Sequence, residues 1–383
     1  MSSWRECKLG DVADVRDGTH DSPKETIDGK YLITSKHIKN GKIDFSKAYK
    51  ISLDDFESVN KRSKVDKYDI LFSMIGTIGE MVIVDFEPDF AIKNVGLFKT
   101  RNKDLSKWIY YYLKSNDAQA EIHASLKGST QQYITLGDLR NFPIQIPPLE
   151  EQKAIAEVLS SLDDKIDLLH RQNHTLESLA GTLFRQWFIE EVKEEWEEKP
   201  LSKIAEFLNG LACQKFPPQN DIDKLPVLKI KDLKDGISEN SDYATSDVKP
   251  EYIVNNGDVI FAWSASLMVK IWDGEQCVLN QHLFKVTSKD FPKWFYYHWC
   301  KYHLDNFIAI SSAHATTMGP IKRGDLDEAM CVIPSSEELI KMDDEISPIF
   351  EKIETNSRQI KSLEKTRDTL LPKLLSGEVR VEI

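Results

Sequence analysis

Residues 94–115 read NVGLFKTRNKDLSKWIYYYLKS, and residues 280–301 read NQHLFKVTSKDFPKWFYYHWCK. The two stretches align without a gap at an offset of 186 residues. The agreement extends outward on both sides. ILFSMIGTIGEMVIVD (70–85) lies over VIFAWSASLMVKIWDG (259–274), each preceded by an aspartate, Asp69 and Asp258. LGDLRNFPIQIPPLEEQ (136–152) lies over RGDLDEAMCVIPSSEEL (323–339), and Trp4 precedes Gly18 as Trp196 precedes Gly210. A period near 190 residues is far longer than a solenoid repeat. It predicts a tandem pair of homologous globular domains.

Within each half, DILFSMI and EMVIVD alternate as strands do, broken by Gly76 and Gly79. DLSKWIYYYLKSNDAQAEIHASL reads as one helix with an aspartate start. A last strand, Ile144–Pro148 or Val332–Pro334, is closed by proline and handed on to a long helix. In that helix Ile155, Leu159, Leu162, Ile166, Leu169, Asn173, Leu176, Ala180, Leu183 and Trp187 keep an unbroken 4-3 spacing. So do Met342, Ile346, Ile349, Ile353, Asn356, Ile360, Leu363, Arg367, Leu370 and Leu374. Heptads sustained this far argue for a coiled coil. In an antiparallel pairing the sixth position of the first seam, Asn173, meets the fifth of the second, Asn356. That pairing spares each amide the cost of being buried alone, about 1–3 kcal/mol. The expected fold is α+β: two domains, 1–149 and 193–334, separated by helices at 150–192 and 335–383 that form an antiparallel coiled coil with pseudo-twofold symmetry. A seam of this length measures roughly 50 Å at ~1.5 Å per residue and would hold the domains at opposite ends. The same geometry brings the tail, SGEVRV (376–381), back to Trp4, as IEEVK (189–193) leads into Trp196.

The bulk properties exclude several classes. Hydrophobic residues at 41% and charged residues at 29% are those of a globular chain. MSSWRECKLG has no apolar core of a signal peptide, and no run approaches the ~18 apolar residues of a membrane span. Five scattered cysteines without a C-x-x-C read as reduced core thiols of a cytoplasmic protein. The net charge of −12 argues against nucleic acid, but its distribution does not. Residues 1–149 hold 22 basic against 21 acidic side chains, with Lys36, Lys39, Lys42, Lys47, Lys50, Lys61, Arg62, Lys64 and Lys67 clustered. Half of the net acidity falls in 150–195.

Catalytic signatures fail in turn. There is no G-x-x-x-x-G-K-[ST], no G-x-G-x-x-G after a strand and no H-E-x-x-H. Neither Pro147–Pro148 nor Pro217–Pro218 sits in the context of an amino-methyltransferase site, and no metal site is expected. His298, Cys300 and His303 read as polar edges of an aromatic helix, since no second ligand cluster accompanies them. What remains are matched loops of small, flexible, donor-rich residues suited to phosphates and base edges. In the first half the candidates are Thr19, His20, Lys36, Thr77, Ser129, Thr130 and Gln131. In the second they are Lys229, Lys231, Trp263, Ser264, Gln281, His314 and Thr316. Their frames match while their side chains differ, as suits two domains built alike to read different things.

GDLRNFPIQIPPLEEQKAIAEVLSSLDDKID, DGTHDSP and YDILFSMIGTIGE, all repeated in weaker form, resemble the specificity subunit of type I restriction–modification systems over essentially the whole chain. The resemblance implies a non-catalytic DNA-binding subunit whose two target-recognition domains each read one half of a bipartite target in double-stranded DNA. The paired helices would space the domains and dock two methyltransferase subunits. S-adenosylmethionine and ATP would sit on partners, the methyltransferase and a restriction motor subunit, with no cofactor in this chain. The rival reading is a coiled-coil scaffold whose globular domains bind protein partners. Salt-dependent binding to duplex DNA in the presence of the methyltransferase separates the two.

Overall fold

A computed structural model describes residues 4–238, 240–313 and 321–382. The chain divides into two compact units, Met1–Asp167 with Ser362–Ile383, and Leu168–Lys361. Each long helix therefore contributes to both.

The first unit contains a four-stranded antiparallel sheet in the order Asp14–Asp17, Val95–Lys99, Ile70–Ser73, Met81–Ile83. Beside it lies a three-stranded sheet ordered Lys50–Ile51, Lys30–Thr34, Phe90–Lys93, the last two strands running parallel. A ribbon pairs Arg5–Lys8 with Pro143–Ile146, so the domain begins against its own last strand. The expected single helix after the sheet is two, Lys103–Lys114 and Asn116–Ala124. Ser115 breaks it: its backbone is extended, and its hydroxyl accepts from Ala118 N at 3.3 Å as the cap of the second helix. Trp108, fully buried, donates from Nε1 to Gln145 O at 2.9 Å and ties helix to ribbon.

The second unit repeats this plan. Its four-stranded sheet is ordered Glu206–Asn209, Leu283–Thr287, Val259–Ala262, Met268–Ile271. The second sheet is ordered Tyr243–Thr245, Lys224–Leu228, Cys277–Leu279, Ile253–Val254, again with one parallel pair, Leu228 opposite Leu279. The ribbon is Glu197–Pro200 with Met330–Ile333. The aromatic helix Lys293–Tyr302 fills the core with Trp294, Phe295 and Trp299.

The two long helices are Leu149–Arg185, prolonged by a π-helical turn at Gln186–Glu190, and Ser336–Leu375. In each unit they run antiparallel. In the first, Glu151 approaches Arg380 while Asp163 meets Arg367 at 2.8 Å. Tyr111 donates to the same Asp163 at 2.9 Å, so the charged seam position is satisfied. In the second, Lys193 pairs with Glu338, while Asn356 Nδ2 donates to Asn173 Oδ1 at 2.9 Å. Asn173 in turn donates to Ser357 Oγ at 3.2 Å. Around these polar layers, Ile155 and Leu159 pack with Leu371 and Leu374, and Ala180 with Ile346 and Ile349.

The two helix starts carry the same lock. Trp196 Nε1 donates to Glu338 Oε2 at 2.9 Å, with Lys193 on the same carboxylate. Trp4 Nε1 donates to Glu151 Oε2 at 3.1 Å, with Arg380 4.0 Å from the other oxygen. The tail thus supplies to the first unit what the inter-domain segment supplies to the second.

Candidate nucleic-acid interface

Strand register decides which loops meet. In the first unit Ser73 faces Val95 and Asp17 faces Gly96, so the end of two strands and the start of the third share one edge. Thr34 faces Lys93, which brings the ends of the parallel pair to the same edge. The backbone sews them together: Thr19 N donates to Ile92 O at 3.0 Å, and Asn94 N returns a bond to Thr19 O at 3.1 Å. Gly18 is required by this crossing. A Cβ there would stand 2.4 Å from Ile92 O. Its counterpart Gly210 would stand 2.2 Å from Asn280 O. The glycines that mark both halves are thus spent on an approach to the protein's own strand, not to a ligand.

All seven first-domain candidates fall along this edge. Thr19 and His20 follow the first strand, and His20 is held between Asn94 Oδ1 at 2.7 Å and Asp17 Oδ2 at 3.0 Å. Asp17 is buried and also takes Arg62, so the ring stands on an anchored carboxylate. Lys36 is exposed on a one-turn 3₁₀ helix, Ser35–His37. The buried His37 accepts from Thr34 N at 3.0 Å. Burial, and then the charge of Lys36, lower the pKa of His37, which keeps the ring neutral and fit to accept. Thr77 is exposed in the turn from Ser73 to Met81, its hydroxyl 3.5 Å from Ser73 Oγ. Ser129, Thr130 and Gln131 form the exposed tip of a hairpin closed by Lys127 and Tyr133, and Tyr133 bridges to Ile75.

The second unit builds the same edge with other side chains. Asn209 faces Phe284 and Ala262 faces Leu283, while Leu211 N donates to Leu279 O at 2.8 Å. Lys229 lies just past its strand, its Nζ on Asp242, and Lys231 is exposed. The buried Asp232 accepts from Lys229 N at 3.2 Å, replacing His37 in the turn. Trp263 is half-buried, stacked on Phe284 with centroids 5.4 Å apart, and donates to Asn209 Oδ1 at 3.2 Å. Ser264 and Gln281 both approach His282, at 3.3 Å each. His314 and Thr316 lie outside the described residues.

Sequence reasoning missed the residues that join the loops. Asn94, in left-handed backbone at φ 52°, holds His20 and accepts from Ser35 Oγ through its carbonyl. Asn280, buried, accepts from His282 N at 3.3 Å. Both asparagines head the aligned stretches quoted at the outset, and that repetition was the available signal. His298 and His303 do not converge: His298 stacks on Phe184 at 5.1 Å, and His303 bonds Met330 O at 2.9 Å. Among the described residues no cluster of His, Cys, Asp or Glu can hold a metal ion, and no helix is long and apolar enough to cross a membrane.

Comparison with known proteins agrees with this duplicated architecture. The family described as type I restriction modification DNA specificity domain matches residues 1–178 and again 193–365. The type I restriction enzyme MjaIX specificity subunit of Methanocaldococcus jannaschii is 30% identical over 307 residues, covering 73% of this chain and 70% of that one. The HindI specificity subunit of Haemophilus influenzae is 20% identical, covering 99% of this chain and 100% of its own. In structure the chain is similar to the type I restriction–modification S subunit of M. genitalium, with a TM-score of 0.58 at 16% identity. That likeness covers 99% of this chain and 96% of the other. With its specificity domain present twice and its relatives named as specificity subunits, the chain belongs to the family of type I restriction–modification specificity subunits.

Proposed function

We propose that the chain reads a bipartite target in double-stranded DNA, one half with each globular domain. The domains are 1–149 and 193–334, joined by spacer helices at 150–192 and 335–383. The observation that carries the proposal is the recurrence of one loop-bearing sheet edge in both units, with a common backbone frame and different side chains. A shared frame sets each domain on the phosphates in the same way, and the differing side chains present different donors to base edges. The first edge offers Lys36, Thr77 and the 129–131 tip, and the second offers Lys231, Gln281 and the Trp263 turn.

The paired helices would dock two methyltransferase subunits. Their heptad seam is consumed internally, which leaves their outer charged faces for partners. Methyl transfer and ATP-driven cleavage would then use S-adenosylmethionine and ATP held by the methyltransferase and restriction subunits, in the cytoplasm. The test is fluorescence anisotropy on duplex DNA with the methyltransferase present. The expected result is sequence-dependent binding that weakens steeply with salt. Binding that is absent, or indifferent to salt, counts against the proposal.

A further inference from the structure

Two isoleucines are exposed far beyond any other large apolar side chain among the described residues. Ile27 is 93% exposed and Ile222 is 97% exposed, the next being Ile340 at 63%. They occupy the same loop of the two halves, three residues before the strand Lys30–Thr34 and two before Lys224–Leu228. Each is displayed on a fixed turn. Around Ile27, Thr26 N donates to Lys50 O at 2.9 Å and Thr26 Oγ1 to Asp28 O at 2.8 Å. Around Ile222, Asn220 Oδ1 accepts from the amides of Ile222 and Asp223 at 2.9 and 2.8 Å, and Asp223 is held by Thr245 at 2.8 Å. Different sequences thus build the same display at matched positions, and neither turn needs an isoleucine for its own geometry.

The surroundings indicate what covers them. Glu25 and Asp28 outnumber Lys24 beside the first isoleucine, where Lys30 is paired with Asp89; beside the second, Asp221 is paired with Lys224 and Asp223 carries the remaining charge. Acidic rims repel DNA phosphate and suit a basic protein surface. Both turns also lie at the opposite end of the parallel strands from Thr34 and Lys93, or Leu228 and Leu279, where the DNA-reading edge sits.

We propose that Ile27 and Ile222 are equivalent anchors for two copies of one partner chain, each entering an apolar socket rimmed by lysine or arginine. The inference rests on the reading that two methyltransferase subunits dock on this chain, and it assigns them a contact outside the helices. The duplication explains why one socket on one kind of partner serves both sites.

The test uses the full chain with the methyltransferase of the same system and counts bound copies by mass photometry. The wild type should bind two. Ile27→Asp and Ile222→Asp should each weaken one binding step roughly tenfold, the equivalent of about 1.4 kcal/mol. The double variant should weaken both, and Asp28→Lys with Asp221→Lys should act in the same direction. Since neither isoleucine is packed against the protein, folding should be unchanged by circular dichroism. Two copies bound with unaltered affinity by every variant would overturn the inference and leave the DNA-reading proposal standing. A wild type that binds no methyltransferase would overturn the inference together with the docking reading on which it rests. Variants that lose DNA affinity at unchanged stoichiometry would also overturn it and make the isoleucines DNA wedges.

Discussion

The asparagine layer between the two helices predicts an asymmetry between its members. Asn356 is completely buried, its Nδ2 is spent on Asn173, and its Oδ1 has no partner among the described residues. Asn173 is only half-buried and has a second acceptor in Ser357. Asn173→Leu leaves the whole Asn356 amide in an apolar seam with nothing to bond, at a cost of about 2–3 kcal/mol. Asn356→Leu removes the unsatisfied carbonyl together with one hydrogen bond, and Asn173 can turn toward solvent. The two terms nearly offset, for a net cost of about 0–1 kcal/mol. The double Leu variant removes both polar partners and should be near neutral or stabilising, so the cycle should show a coupling of about 2–4 kcal/mol. Urea unfolding followed by tryptophan emission measures this well, since Trp187, Trp196, Trp263, Trp272, Trp294 and Trp299 all lie in the second unit. Equal costs for the two single variants, or a double variant costing their sum, would refute the reasoning.

Gly18→Ala and Gly210→Ala should each cost about 2–3 kcal/mol, because the new methyl meets backbone carbonyls that cannot move without breaking the sheet. Thermal melts check this, and neutral variants would contradict the crossing geometry. Burial lowers the pKa of His298 to about 3 from 6.5. The unfolded chain takes up that proton near pH 6.5 and the folded one does not until about 3, so stability falls as pH drops through this window, by at most about 5 kcal/mol. His298→Phe, stacking on Phe184 as the imidazole does, should remove that part of the acid sensitivity in urea melts at pH 4 and 7. Arg367→Met should cost about 1–2 kcal/mol, a charged hydrogen bond discounted for partial exposure, and leave Asp163 to Tyr111. A permutant opened at Glu194–Glu195 and joined tail to head should fold, because the tail already brings Arg380 to Glu151, whose carboxylate also accepts from Trp4. Failure of several linker lengths would count against the matched locks.

Most of the architecture was legible because duplication and heptad spacing are carried by apolar residues whose period survives divergence. Leu, Ile and Ala at 4-3 spacing fix a helical seam whatever packs around it, and Asn173 and Asn356 mark its polar layer. The break at Ser115 was hidden because KSNDAQAE is good helix sequence, and only the cap geometry divides it. Thr19, His20, Lys36 and Thr77 lie together because each follows a strand whose end aligns with the others. What each side chain does was not legible: nothing in DGTH shows that His20 rests on Asp17 and Asn94, partners supplied by chain register. Trp263 was named for its place in a donor-rich loop, but its ring finds Phe284 across the strand, a contact set by the pairing of Ala262 with Leu283.

The measurement that bears most directly on the central claim is methylome sequencing of a host expressing the chain with its methyltransferase. The wild type is compared with a variant carrying alanine at Thr19, His20, Lys36, Thr77, Ser129, Thr130 and Gln131. Two separate reading edges predict that one half of the methylated motif is relaxed or lost while the other half is unchanged. A motif unaltered in both halves, or altered equally in both, would contradict the account.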